Sequence, residues 1–541
     1  MTSADRTSSP HVAMKRPRLR RIPLLATTCA GALLATACGA PGGDARDDAT
    51  FQHLVSGNMM IEWDPALAYS GEPKVLRNTY ETLTYYNSET EEIEPLLAET
   101  WATSDDGLEW TFELRDDVTF HSGEPLTAES VKAAIERTVD VDGGPAYLWS
   151  SVDEIDVADE HTVRFQLDYP APLDLISASA YGASIYEIPE DGTESGADAY
   201  TGESYGTGPY TVTDYQTNAE YEVTLEAFDD YWGGWEDSHF DGVEFRVVEE
   251  AVTRARLVEQ GEAHFVESLP QPLADELTNA EDLDILETAS FQNMFLNMNT
   301  EVEPLDDPQV RAAIAHALNR NAFSESSDGD LVPPSGLAPD GVFGGGEHSE
   351  LPSYDPDAAE TLMEDAGYDL DADILELELT YTEDNEIQDI IAPLLQDQLS
   401  DINIELDVVG LPHEANLERA QSEDPDERQD LRLVNWWPDM PDASSWYETL
   451  FQTEEEPFAN TSYYSNPDLD DMIAGIGELT ATSEEEALEE YAQMEAIILE
   501  DLPAVPLGEV SYRRVMHSDI DGYVDNPLYA HVVHVHDLER P

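Results

Sequence analysis

Apolar and polar residues alternate along several short stretches of this chain, and each stretch predicts a half-buried strand. Trp110, Phe112 and Leu114 alternate with Glu109, Glu113 and Arg115, and Val118 and Phe120 continue the apolar face. The preceding Ser104-Asp105-Asp106-Gly107 is turn chemistry, with Gly107 free to take a positive φ. His121 to Pro125 breaks the run. Thr127 then caps a helix over 127–138, with Leu126 and Val131 at hydrophobic-staple spacing. Alternation also predicts a strand at 162–167 and a hairpin from Tyr210 and Val212 to Tyr221, Val223, Leu225 and Ala227. A helix is expected at 75–83.

The second half of the chain reads as α/β. Asp307-Pro308 opens a helix with a capping Asp and Pro at the first helical position, and Val310, Ile314, Ala317 and Leu318 share one face. Residues 331–346 form a long Pro/Gly loop. Leu375, Leu377, Leu379 and Tyr381 alternate as a strand, and Ile387, Ile390, Ile391, Leu394, Leu395 and Leu399 make a helical face. Ile402, Ile404, Leu406 and Val408 alternate again. A strand–helix–strand unit of this length predicts a parallel crossover.

Composition adds a leader. Lys15, Arg16, Arg18, Arg20 and Arg21 precede a short apolar run from Ile22 to Ala37, too short for a permanent span. The run ends Leu34-Ala35-Thr36-Ala37-Cys38, which resembles a bacterial lipobox and implies cleavage before Cys38 and lipid attachment to it. The alternative is an ordinary secretory signal. Either Met1 or Met14 can be the start, and Arg20-Arg21 leaves export by the Sec or the Tat route open. Residues 39–50 read as a flexible tether. Only Cys29 and Cys38 exist, so no disulfide framework is expected.

The 541 residues carry 24 basic and 117 acidic side chains, a net charge of −93. Lys74 and Lys132 are the only lysines beyond the leader. Such a surface excludes nucleic acid as a partner. It serves either to attract cationic solutes or to keep the chain soluble in high salt; its even spread favours the second.

The run DDGLEWTFELRDDVTFHSGEPLTAESV, residues 105–131, resembles the signature segment of the family 5 extracellular solute-binding proteins, the peptide, dipeptide and nickel receptors of ABC importers. Other words of that family are Gly206-Thr207-Gly208-Pro209-Tyr210, Asp230-Tyr231-Trp232-Gly233-Gly234, Leu296-Asn297-Met298-Asn299 and the segment from Asp306 to Arg320. The resemblance implies a two-lobe periplasmic-binding-protein fold of α/β class, with an extra subdomain at about 85–204 in a first lobe spanning 51–300. It places a second lobe at 301–509 and a return to the first at 510–541. It further implies a monomeric, lipid-anchored receptor that closes on solute and hands it to a permease driven by an ATPase.

Site residues follow from the same resemblance. The segment from Trp436 to Phe451 is similar to a family word whose first Asp pairs with the ligand's α-amine, and that position is Asp439. Trp436 and Trp437 offer flat walls beside it. The other reading of Asp439 is a helix cap. Trp63 and Tyr69 are either pocket or core aromatics. A ligand carboxylate wants one of Arg311, Arg320, Arg419, Arg428 and Arg432, and the pattern does not choose. Peptides are the expected cargo; oligosaccharides, opines and nickel chelates are alternatives, and a surface enzyme or adhesin is the reading from another class.

No enzymatic chemistry, metal or cofactor is expected. Gly202-Glu203-Ser204-Tyr205-Gly206 matches a nucleophile-elbow pattern, but no helix can follow it. Asp369, Asp371 and Asp373 begin like a calcium loop, yet Ile374 stands where Gly is needed. His531, His534 and His536 read as exposed terminal histidines.

Overall fold

A single sheet of eleven strands runs through the molecule. The computed structural model describes residues 49–540 apart from 58, 61, 69, 70, 142, 191, 194, 197, 218–220, 347, 371, 373, 384, 455 and 456. The leader, Cys38, Tyr69, Asp371 and Asp373 therefore lie outside the described residues. Ten strands lie in the order Ile404–Leu411, Leu375–Thr382, Leu431–Trp436, Leu283–Met298, Ala504–His517, Phe265–Val266, Thr50–Val55, Gly242–Val247, Tyr221–Ala227 and Tyr210–Thr217. The eleventh, Leu331–Val332, pairs with Ala504–His517 from the side.

Two long antiparallel strands, Leu283–Met298 and Ala504–His517, join the two halves of this sheet. Their register shifts between Ala289 and Asn293 and again between Met294 and Phe295. Such bulges bend a strand and raise its twist. On one side of this pair sits the core of Phe51, Val55, Tyr210, Val223, Phe245 and Phe265. On the other sits the core of Leu296, Ile314, Leu379, Ile391, Leu395 and Leu433. This is the two-lobe α/β architecture expected from the sequence.

The alternating run 109–114 is an inner strand of a separate four-stranded sheet, where it pairs with Ala98–Thr103 and Thr162–Leu167. Trp110, Phe112 and Leu114 are buried, as the alternation demands. The helix after it spans Ala128–Val141, and the Thr127 hydroxyl accepts from Ser130 N–H at 3.2 Å. Arg137 on this helix makes a bidentate pair with Asp64, 2.8 and 2.7 Å. That pair ties the subdomain to the loop after the first strand.

Leu375–Thr382 and Ile404–Leu411 are parallel neighbours with helix Glu386–Ser400 between them in sequence, as expected. Asp307 caps helix Pro308–Ala317 through Gln309 N–H at 2.9 Å. The helix expected at 75–83 is a correction: only Pro73–Leu76 is helical. Beyond it the backbone is taken by other segments. Thr79 C=O accepts from Gly208, Asn78 C=O accepts from Tyr210, and Glu81 bridges to Ile185.

Candidate functional site

The site is built from the end of strand Leu431–Trp436. This strand lies between Leu283–Met298 and Leu375–Thr382, and Leu431 to Val434 are buried. Pro438 has no N–H to continue a ladder, so the chain leaves the sheet there. Helix Ser444–Phe451 restarts it; just before it, Asp442 Oδ1 accepts from Ser444 N–H at 2.8 Å and from Tyr491 OH at 2.5 Å. Asp439 caps no helix; its N–H donates to Ser445 Oγ at 3.0 Å, which leaves its carboxylate free of the backbone.

That carboxylate faces the subdomain. Tyr147, on the turn Gly144–Trp149, donates its hydroxyl hydrogen to Asp439 Oδ2 at 2.5 Å. Tyr529 donates to the Asp439 carbonyl at 3.2 Å while accepting from Ala180 N–H at 2.7 Å. Asp439 and Tyr147 share a cavity of about 520 Å³ with Tyr169, Pro172, Glu448 and Ile473, and no Lys, Arg or His stands in its described wall. Burial pushes the Asp439 carboxyl up to about 6, a rise that the Tyr147 hydrogen bond tempers. Burial and the neighbouring Asp442 and Asp439 push Glu448 up to about 7. Glu448 lines the cavity at its mouth, where its side chain is exposed. Two carboxylates without a counter-ion make a place for a cation.

The tryptophans diverge. Trp437 donates Nε1–H to Leu528 C=O at 2.6 Å and packs on His531 (4.8 Å between ring centres) and Tyr512 (5.9 Å). Trp436 lies half-buried against the second-lobe core. Behind Trp437 is a buried charged group: Lys74 pairs with Glu267 at 3.0 Å, Arg514 with Asp525 at 3.7 Å, and the Arg514 guanidinium lies 5.3 Å from the Tyr512 ring. The expectation that His531, His534 and His536 are exposed is corrected: His534 and His536 are half-buried, and His531 is 7 % exposed with its imidazole held well down by burial and by Lys74 and Arg514.

Trp63 sits elsewhere, 6 % exposed in the first-lobe core with its ring edge-on to Tyr215 at 5.2 Å. The second-lobe arginines are engaged locally. Arg311 and Arg320 donate to backbone carbonyls of Asp501 and Pro506, Arg419 and Arg428 pair with Glu378 and Glu301, and Arg432 reaches Asn416 and Thr461. None lines the Asp439 cavity. Tyr147 and Glu448, which do, carry no signal in the sequence pattern.

Residues 92–457 match the model of the bacterial extracellular solute-binding proteins, family 5. The chain is 25 % identical over 487 residues to a probable D,D-dipeptide-binding periplasmic protein, DdpA, of Escherichia coli, covering 88 % of this chain and 92 % of that one. It is 27 % identical over 423 residues to the glutathione-binding protein GsiB of Salmonella typhi, covering 77 % and 80 %. Among solved structures it matches the periplasmic binding protein DppA of Helicobacter pylori in complex with the peptide STSA (TM-score 0.75, 22 % identity, 91 % and 98 % covered). It also matches NikA of Brucella suis in complex with Fe(III)-EDTA (TM-score 0.79, 20 % identity, 91 % and 99 % covered).

Proposed function

The chain belongs to the bacterial extracellular solute-binding proteins, family 5, and on that premise we propose that it is the receptor of an ABC importer for short peptides with a free amino terminus. The observation that carries this reading is Asp439, a carboxylate held in a cavity with one hydroxyl donor and no basic residue in its described wall. A ligand ammonium supplies the missing charge, and the aromatic rings of Tyr147 and Tyr169 supply apolar walls. The named ligands of the relatives, a D,D-dipeptide, glutathione and a tetrapeptide, support the peptide class.

Ligand draws the two lobes together by binding the closed form better than the open one. The closed, monomeric receptor then presents its cargo to a permease driven by an ATPase. Cleavage before Cys38 and lipidation of its thiol and new amine hold it at the outer face of the cell membrane. No step in this cycle needs a catalytic residue or cofactor.

A thermal-shift screen of residues 39–541 in molar KCl tests the reading, with di- to oligopeptides, oligosaccharides and nickel chelates as ligands. Binding to the native state alone stabilises by about 2.7 kcal/mol at a hundredfold excess over Kd. Peptides are expected to raise the melting temperature. Stabilisation by sugars or chelates alone overturns the peptide assignment.

A further inference from the structure

Away from the Asp439 loop, the turn after Pro73–Leu76 buries a second unbalanced charge. Arg77 is 8 % exposed, and its guanidinium donates one hydrogen bond among the described residues, from Nη1 to the Thr82 hydroxyl at 3.1 Å. Its Nε is buried with no partner. Glu81, whose charge acts on Arg77, gives its oxygens to Thr207 OH (2.6 Å), Tyr231 OH (2.9 Å) and Trp232 Nε1–H (2.8 Å) instead. A buried cation without an ion pair is costly to keep. In a chain with 117 acidic side chains, carboxylates to balance it are not scarce.

A cavity of about 320 Å³ opens beside Arg77, walled by Tyr85, Tyr231, Trp232, His534 and His536. Asp537, also in the wall, is tied to His536 at 3.3 Å, and His536 holds Gly234 C=O at 2.9 Å. The imidazole of His534 makes no hydrogen bond among the described residues, and burial lowers it to about 4. The cavity therefore holds two nitrogen groups waiting for an acceptor, and its two acids are already engaged.

We propose that this first-lobe cavity is a second binding site, for a small molecule whose carboxylate pairs with Arg77 and His534 while its body lies against Tyr85 and Trp232. The planar fork of a guanidinium matches a carboxylate's two oxygens. The space is far larger than a halide needs, and its aromatic walls suit an organic body. Asp439 is not part of this wall, so the second site and the peptide site stand or fall separately.

Sodium benzoate is the probe, titrated calorimetrically into residues 39–541 at fixed molar KCl. Benzoate is expected to bind; Arg77→Gln is expected to weaken it at least about tenfold, with Arg77→Lys and His534→Gln losing less. Asp439→Asn leaves it unchanged. The absence of benzoate heat at about 10 mM overturns the proposal, as does unchanged affinity in Arg77→Gln or loss of binding in Asp439→Asn. If Arg77→Gln does not fold, His534→Gln decides: wild-type affinity in that variant overturns it.

Discussion

The Tyr147 hydroxyl donates a 2.5 Å hydrogen bond to Asp439 Oδ2, joining positions 292 residues apart. The tyrosine belongs to the turn Gly144–Trp149 and the aspartate to the loop that follows strand Leu431–Trp436. One neutral donor is poor compensation for a half-buried carboxylate, so the pair is primed to accept a cation.

Asp439→Asn is expected to lower affinity for an amine-bearing peptide by roughly ten- to a hundredfold, the 1.5–3 kcal/mol of a hydrogen bond to a charged group. The melting temperature of the free protein should hardly change. N-acetylating the peptide should cost wild type the same amount and cost the variant nothing more, which makes a double-mutant cycle the check. Equal affinities for free and acetylated peptide in wild type would remove Asp439 from the site.

Binding should depend on pH in a defined direction. The Asp439 carboxyl sits at about 6, above the ordinary value near 3.9. Between those two values the folded chain keeps a proton that the unfolded chain has lost. Its contribution to stability is therefore complete below about pH 4 and falls as pH rises to 6. A bound ammonium needs the carboxylate ionised, so affinity should climb about tenfold from pH 5 to 7 and then level off. Calorimetry at pH 6 in two buffers of different ionisation enthalpy should detect proton release on binding. Identical apparent enthalpies in the two buffers would contradict the assignment.

Much of this fold was legible because alternation and burial coincide: Trp110, Phe112, Leu114, Leu377 and Leu379 are all buried where the pattern put them. Family words located the Asp439 loop. Their physical reason appears only in three dimensions. A Cβ on Gly206 would lie 2.1 Å from the Thr79 carbonyl oxygen, and one on Gly208 2.7 Å from the Thr79 carbonyl carbon. That close approach requires glycine, and the same contact ends the helix expected beyond Leu76. Tyr147 was invisible because only the docking of the subdomain brings it to Asp439. The burial of His531 was missed for a similar reason: nothing local to the terminal segment shows that Trp437 covers it.

The Arg137–Asp64 pair should dominate the stability of the subdomain's attachment. Arg137 is 5 % and Asp64 0 % exposed. Besides Asp64, Arg137 donates Nε–H to Gly192 C=O at 2.7 Å and lies 4.8 Å from the Tyr200 ring. Removing one member of a buried pair leaves the other charge uncompensated. Arg137→Met should therefore destabilise by about 3–5 kcal/mol, read from urea midpoints. Changing both members together, Arg137→Met with Asp64→Leu, should recover part of that loss. A double variant no more stable than the single one would show that the pair acts through packing alone.

Salt should decide whether the whole chain folds. Its net charge of −93 is spread over both lobes and the subdomain. The strand Val152–Asp159 shows the consequence locally: Asp153, Glu154, Asp156 and Asp159 all lie on exposed positions of one edge strand. Ion pairs cannot absorb such a surplus of acid. What remains is mutual repulsion, which expands the chain in dilute buffer and is screened when the Debye length shrinks to about 3 Å at 1 M. Residues 39–541 should lose circular-dichroism signal below roughly 0.1 M KCl, where that length is about 10 Å, and regain it reversibly in molar KCl. Sucrose, which favours compact states without screening charge, should restore much less. A melting temperature independent of salt would sink this reading, and the acidity would then be left to the other role open to it, attracting cationic solute to the receptor.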